Sequence, residues 1–217
     1  MRPNSGGRSR RDVGGNSAGD GMSPGFTFER VYLALKQQLR EGRYPPGTQL
    51  EPRVLTEELS ASITPIRDAL HRLVGERLVE APRNDGFRIP GVSELMLREL
   101  YAWQADLLRL ALAHPPLQQP VDVAGAELAS AEDIFLKIAR SSGNYELIAA
   151  LANVCDRLAP LRSVEARFVP EVAEETATMR RLVEACDPAA VRAAIASYHR
   201  RRERAVPQLV AALHRPL

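Results

Sequence analysis

RVLTEELSASITPIRDALHRLVGERLVEAPRNDGFRI, residues 53–89, holds two helical patterns, a tight connection and a pair of strand-like runs. Val54, Leu55, Glu58 and Leu59 make a compact first helix. Ser62 and Thr64 are residue types that cap helix N-termini, and Pro65 suits the first helical position, where its missing N–H is not needed. Behind them Ile66, Ala69, Leu70 and Leu73 recur at i, i+3, i+4 and i+7, the apolar stripe of an amphipathic helix. The opposite face carries Arg67, His71 and, near its end, Arg72. Leu78-Val79-Glu80-Ala81 and Phe87-Arg88-Ile89 alternate like short strands around Arg83-Asn84-Asp85-Gly86, an Asp-Gly turn.

Helix, turn, helix and hairpin form the outline of a winged helix-turn-helix, which puts the start of its second helix into a DNA groove. Working outward, Thr27 is placed to cap a preceding helix whose stripe is Phe28, Val31, Tyr32, Leu35 and Leu39. Gly42 stands where a helix end tolerates positive φ, and Pro45-Pro46-Gly47 turns the chain towards Leu50. The unit over residues 26–90 is about 65 residues long, a size that folds but is marginal without support.

The resemblance is closer than the outline. Val31-Tyr32, Leu39, Gly42, Pro46-Gly47, Leu50, Arg53, Leu59, the run Thr64-Pro65-Ile66-Arg67-Asp68-Ala69-Leu70-His71-Arg72-Leu73 and Gly86-Phe87 resemble the N-terminal domain of GntR-family transcription regulators. The match runs without a gap from about residue 26 to residue 90. It implies a dimeric, ligand-responsive DNA binder, usually a repressor.

Composition is consistent with this but does not carry it. Residues 1–25 hold four Arg against two Asp, residues 26–90 ten Lys/Arg against nine acids, and residues 91–217 fifteen against sixteen. The net charge of +2 is too small to argue for nucleic acid, so the placement of arginines has to. Residues 1–25, rich in Gly, Ser and Arg, read as a disordered basic tail. Its Arg2, Arg8, Arg10 and Arg11 are most simply solvated. Cys155 and Cys186 have no metal-type spacing and read as two buried thiols of a reducing compartment. No apolar run reaches the roughly 20 residues of a membrane span and no hydrophobic signal region opens the chain. A cytoplasmic protein without membrane partners is expected.

After Pro90-Gly91 the pattern is helical throughout. Ser93 caps a helix over residues 94 to about 113, with Leu95, Leu97, Leu100, Trp103, Leu107, Leu110 and Leu112 as its apolar face. His114-Pro115-Pro116 and Pro120 break it. Further helices are expected over residues 124–140, 144–168, 170–186 and 188–213, the last opened by Asp187-Pro188. Phe135, Ile138-Ala139-Arg140-Ser141-Ser142-Gly143-Asn144, Leu147, Asp187, Ala190, Ala194 and His199 resemble the helical effector domain of the FadR branch of that family, the FCD type. That domain usually has six or seven helices. The chain is short between residues 112 and 131, so at least one helix is expected to be lost.

The fold expected is therefore mainly α: a winged helix-turn-helix of three helices plus a β-hairpin wing, followed by an all-α bundle over residues 91–217. The bundle is expected to supply dimerisation and effector binding. For DNA, Ser62 and Thr64 hydroxyls at a helix N-terminus can bond phosphate or bases. Arg67, one turn in, has a fork that fits guanine. Pro65 sets the turn, Gly86 lets the wing backbone come close, and Asn84 stands beside it for a minor-groove edge. The resemblance adds Arg53, at the start of the preceding helix, as a contact position. It also marks two departures. Ile63 stands where arginine is common, and Asp85, expected to repel phosphate, where a basic residue or His is common.

In the bundle, the resemblance puts the metal ligands of metal-using members at Glu132, Leu136, Thr176 and His199. It also puts an arginine and a glutamate where Gln104 and Leu108 stand. One imidazole and one carboxylate fall short of an ordinary site, so no metal and no cofactor are expected. Gln104, Glu132 and His199 remain as effector-binding candidates for a small organic molecule. Arg200-Arg201-Arg202 reads as a solvated face. No nucleophile–base pair or phosphate-binding Gly loop stands out, so no enzyme is expected.

The function expected is sequence-specific transcription regulation, most simply repression, by a homodimer on an inverted-repeat operator in double-stranded DNA. The competing reading is a helical ligand-binding or protein-interaction module with an inactive DNA-binding domain. Ile63 and Asp85 favour it, and Arg53, Thr64, Pro65 and Arg67 oppose it.

Overall fold

Two separate hydrophobic clusters organise the chain, one drawn from Val31 to Ile89 and the other from Leu97 to Leu209. The computed structural model describes residues 24–83, 85–113 and 128–214. The expected tail arginines Arg2, Arg8, Arg10 and Arg11, the break at His114-Pro115-Pro116 and Pro120, and Asn84 lie outside the described residues.

The first cluster is built by α1 (Pro24–Arg40), α2 (Pro52–Glu58) and α3 (Ile63–Gly75), with a two-stranded antiparallel sheet of β1 (Gln49–Leu50) and β2 (Phe87–Arg88). Val31, Tyr32, Leu35 and Leu39 of α1 pack on Ile66, Ala69, Leu70 and Leu73 of α3, all buried. This is the period-3.6 stripe doing what an amphipathic helix must. Thr27 lies inside α1, which starts at Pro24, ahead of the expected cap. Leu55 of α2 and Leu59, which follows its last turn, face the core while Val54 points outward.

The wing differs from the expected hairpin. β2 pairs with β1 in the register Gln49↔Arg88 and Leu50↔Phe87, and Glu80 meets Arg88 only as an isolated bridge. Phe87 and Ile89 are buried in the first cluster, so the strand's place is fixed by core packing more than by its turn. Gly86 takes the turn with φ +68, in the left-handed region where glycine carries no side-chain penalty.

α3 ends in a close Schellman arrangement. The N–H of Arg77 donates to the Val74 carbonyl at 3.0 Å and that of Leu78 to the Leu73 carbonyl at 3.0 Å. The left-handed residue is Arg77, with φ +59, where glycine is usual.

The second cluster is an all-α bundle: α4 (Glu94–Ala113), α5 (Ala131–Ser141), α6 (Tyr145–Leu158), α7 (Arg162–Glu165), α8 (Val172–Glu184) and α9 (Pro188–His214). Caps fix several starts. Ser93 Oγ accepts from the Met96 N–H, Ser130 and Asp133 form a capping box, Asn144 accepts from Leu147, and Asp187 accepts from Ala189 and Ala190. α5 therefore begins at Ala131; residues 124–127, where the helix is expected to start, lie outside the described residues. The expected helix over 144–168 is broken by a 3-10 turn, Ala159–Leu161, because Pro160 cannot donate to the helix ladder. The helix after Pro170 starts only at Val172, since Glu171 is left-handed with φ +56.

The buried face of α4 is Leu97, Leu100, Tyr101, Gln104, Leu107, Leu108 and Ala111. Leu95, Trp103 and Leu110, expected in the stripe, are large exposed side chains. The Arg200-Arg201-Arg202 run is not one solvated face. Arg202 is 1 % exposed, lies over the Tyr198 ring, and bonds Glu165 and Glu175. Consecutive helical residues point about 100° apart, so three arginines in a row cannot share one face. Cys155 is buried as expected, whereas Cys186 is exposed.

Candidate nucleic-acid interface

The short connection from Leu59 to Ser62 sets α2 against α3 and leaves the N-terminal end of α3 open to solvent. Ser62 is the N-cap with extended backbone, but its side chain makes no capping bond. Thr64 and Pro65 lie inside the first turn, so Pro65 is at the third helical position and not the first. The physical reason for a proline there is unchanged, because N–H groups of the first turn have no intrahelical partner.

Arg53, Ser62, Ile63, Thr64 and Arg67 line one open depression at this end, together with the carboxylates Glu51 and Asp68. The Arg53, Ser62, Thr64 and Arg67 side chains are exposed. Neither Arg53 nor Arg67 has an ion-pair partner among the described residues. Pro65 backs the first turn without lining the depression. Arg72, by contrast, is structural: it lies 3.7 Å over the Tyr32 ring and pairs with Glu29 and Glu76.

On the wing, Asp85 is not a free negative charge. Arg88 reaches it at 3.7 Å and Gln49 donates to it at 3.3 Å. An added Cβ at Gly86 would meet nothing within 4 Å, so its role is conformational.

The effector candidates fall into two groups. His199 and Gln104 are both buried, and His199 Nε2 lies 3.2 Å from Gln104 Oε1. His199 Nδ1 lies 2.8 Å from the Ile195 carbonyl, so Nδ1 carries a proton and donates. Burial, reinforced by the charges of Arg202 and Arg109, lowers the imidazole pKa to about 4, so the ring is neutral at physiological pH. Nε2 must then accept, which requires the Gln104 amide nitrogen to face it and the amide oxygen to face the Cys155 thiol, 3.3 Å from that amide. Burial pushes that thiol up to about 12.

Glu132 is held elsewhere. Arg40 donates to both its oxygens and Arg162 to one, and these partners hold its carboxyl below the usual range although burial opposes them. Thr176 bonds the Val172 carbonyl within its own helix. Among the described residues no group of three His, Cys, Asp or Glu is placed to hold a metal ion.

The residues that join the two halves carry no signal in the sequence. Lys36 pairs with Glu76 at 2.9 Å and Asp156 at 2.7 Å, Arg40 pairs with Asp156, and Asn153 Nδ2 donates to the Glu76 carbonyl at 2.8 Å.

An open helix N-terminus flanked by arginines without ion-pair partners among the described residues, beside a glycine-turned wing, defines a winged helix-turn-helix of the DNA-binding class. The family model for bacterial regulatory proteins of the gntR family matches residues 27–89. The chain is 32% identical to the HTH-type transcriptional regulator McbR of Escherichia coli K12 over 174 residues, 76% of each chain. It is 33% identical to the HTH-type transcriptional repressor GlaR of the same organism over 104 residues, 46% of this chain and 47% of that one. A GntR transcriptional regulator structure from Rhodococcus sp. RHA1 superposes with TM-score 0.69 at 17% identity, covering 85% of this chain and 98% of that one. The structure of E. coli McbR/YncC superposes with TM-score 0.63 at 23% identity, covering 84% and 97%. The chain belongs to the GntR family and is a transcriptional regulator with a DNA-binding helix-turn-helix. No described helix is long and apolar enough to cross a membrane.

Proposed function

We propose that the chain is a homodimeric repressor of the FadR branch that binds a short inverted repeat, one half-site per subunit. Residues 26–90 read the DNA, and residues 91–217, as an FCD-type unit, pair the subunits and respond to a small organic molecule. The observation that carries this reading is the convergence of Arg53, Ser62, Thr64 and Arg67 on one open depression at the N-terminus of α3, with both guanidiniums free of ion pairs among the described residues. Thr64 and Ser62 suit phosphate at a helix N-terminus, Arg67 a guanine edge, Arg53 the flanking backbone, and Gly86 with Asn84 the adjacent minor groove.

Pairing has its own support. Leu95 and Trp103 of α4 are 67 % and 47 % exposed, and a second subunit that covers them would gain the free energy of removing their apolar surface from water. Two-fold symmetry of the pair makes operator symmetry a geometric consequence.

The reading in which the DNA-binding unit is inactive rests on Ile63 and Asp85. Arg88 and Gln49 offset the charge of Asp85 from within the wing, which leaves Ile63 alone, and an exposed isoleucine can meet a thymine methyl. The test is retardation and footprinting of fragments flanking the chain's own gene across a salt series. A symmetric footprint with affinity falling steeply with salt is expected. Salt-insensitive or undetectable binding at low salt removes the proposal.

A further inference from the structure

A cavity of about 260 Å³ lies between the two halves. Its walls are apolar and come from both sides: Leu39, Leu78 and Ile89 from the N-terminal unit, Leu97, Leu161 and Leu213 from the bundle. Arg77, Arg157 and Arg167 also line it, and among the described residues no Asp or Glu does. Among the described residues none of the three has an ion-pair partner; Arg167 lies only against the Phe168 ring, 5.5 Å from its centroid. Arg162 and Arg202 of the bundle, by contrast, are each held by a carboxylate. An outer depression continues from the cavity past Arg77 and Arg157, and there one carboxylate, Glu99, joins the lining.

We propose that this interdomain cavity binds a small organic anion, a carboxylate on an aliphatic or aromatic body, with its head group between Arg77 and Arg157 and its body among the leucines. The site is distinct from the Gln104–His199 pair, whose polar atoms already bond one another and the bundle. Size fits the assignment: an engineered cavity of about 150 Å³ takes benzene, and drug-sized ligands fill roughly 300–1,000 Å³. Charge fits it as well. Burial and the like charge of Arg77 lower the Arg157 pKa, a cost that an anion between the two would remove. A planar carboxylate also matches the guanidinium fork, two N–H groups to two oxygens.

Arg77 is held there by its backbone. It takes the left-handed conformation that closes α3, which disfavours any residue with a side chain. Its position therefore follows the C-terminal end of the helix whose N-terminal end faces DNA. A ligand gripping Arg77 and Arg157 ties that helix to α6, and it favours whichever arrangement of the two halves closes the cavity best. This regulatory consequence rests on the DNA-binding reading above; the binding itself does not.

The test is calorimetric titration of the full chain, without DNA, using octanoate as probe and octan-1-ol as its neutral counterpart. Saturable binding of one octanoate per chain is expected, at least about tenfold tighter than octan-1-ol, the difference one charge-assisted hydrogen bond makes. Arg77→Gly and Arg157→Gln should each weaken octanoate by about tenfold and leave octan-1-ol unchanged. Arg77→Gly keeps the left-handed turn with the residue best suited to it, so loss of fold does not confound that variant. No saturable binding at millimolar octanoate, equal affinity for the alcohol, or full affinity in both variants overturns the proposal. Because no DNA is present, such a failure is independent of the retardation experiment.

Discussion

Arg40, in the last turn of α1, donates to both carboxylate oxygens of Glu132, at 3.1 and 3.0 Å, across 92 residues of sequence. Arg162 holds the same carboxylate from the bundle side, and Asp156 holds Arg40 beside Lys36. The residue expected to face an effector is thus part of the clasp between the two halves. Its charge is surrounded by cations, and the cations belong to both sides. Glu132→Gln is expected to destabilise the chain by about 2 kcal/mol, the range for a charged hydrogen bond left without its partner. Asp156→Asn should act in the same direction, and the two should not add, since both share Arg40. Urea unfolding of the single and double variants checks this; strict additivity would mean that Arg40 does not couple them.

At the open end of α3, Arg67→Ala is expected to cost about 1–3 kcal/mol in operator affinity and to relax sequence preference at one position per half-site. Arg53→Ala should weaken specific and non-specific DNA alike, and lower the salt slope by about one for each phosphate that is no longer neutralised. Binding isotherms at several salt concentrations separate the two behaviours. An Arg67→Ala protein with an unchanged footprint would take Arg67 out of base reading.

Pairing through α4 makes a prediction about mass. Leu95→Glu and Trp103→Glu should shift the full chain towards monomer in sedimentation, without loss of helical content, because both side chains are exposed in the single chain. Operator affinity should fall by at least about tenfold, since the second half-site no longer binds intramolecularly. A chain that stays dimeric in both variants places the interface on another face.

The stripes that carry the fold are legible because period 3.6 records which face of a helix is apolar: Ile66, Ala69, Leu70 and Leu73 lie buried as their spacing implies. Local capping is legible too, at Ser93 and Asp187, since those bonds form within one turn. What escapes the sequence is anything set by a distant neighbour. α4 carries two apolar stripes, and only the position of α9 and α6 decides that Tyr101, Gln104 and Leu108 go inside while Leu95 and Trp103 stay out. Phe87-Arg88-Ile89 reads correctly as extended, but its partner Gln49–Leu50 lies far upstream, before α2, and has no strand signal of its own. Arg202 reads as solvated because Glu165 and Glu175, which neutralise it, come from α7 and α8. For the depression at the start of α3, Ser62, Thr64 and Arg67 share one helix start, and their grouping follows from local sequence alone. For the cavity, Arg77, Arg157 and Arg167 come from three separate places, and no spacing joins them.

His199 gives the last prediction, a pH dependence of stability. Its imidazole has a pKa of about 4 in the folded chain, lowered from the ordinary 6.5 by burial first, with Arg202 and Arg109 adding to it. The unfolded chain therefore binds more protons at this residue between those two values. Stability rises with pH wherever the unfolded state holds more protons, so the contribution is present in full above about 6.5 and is lost as pH falls towards 4. The loss is on the order of 3 kcal/mol for a shift of that size. Glu132 runs in a lower window: its carboxyl is held below the ordinary value, so its contribution disappears only as pH falls through that depressed range. The two effects can be told apart by where the slope lies. In His199→Gln, which stays neutral at every pH, the decline of unfolding free energy between pH 6.5 and 4 should flatten, while the steeper fall below that range should persist. Urea unfolding at closely spaced pH steps measures both slopes. An unchanged slope in the upper window would show that the buried ring accepts a proton as readily in the folded chain as in the unfolded one, and with it the neutral tautomer assigned to the Gln104–His199–Cys155 chain would fall.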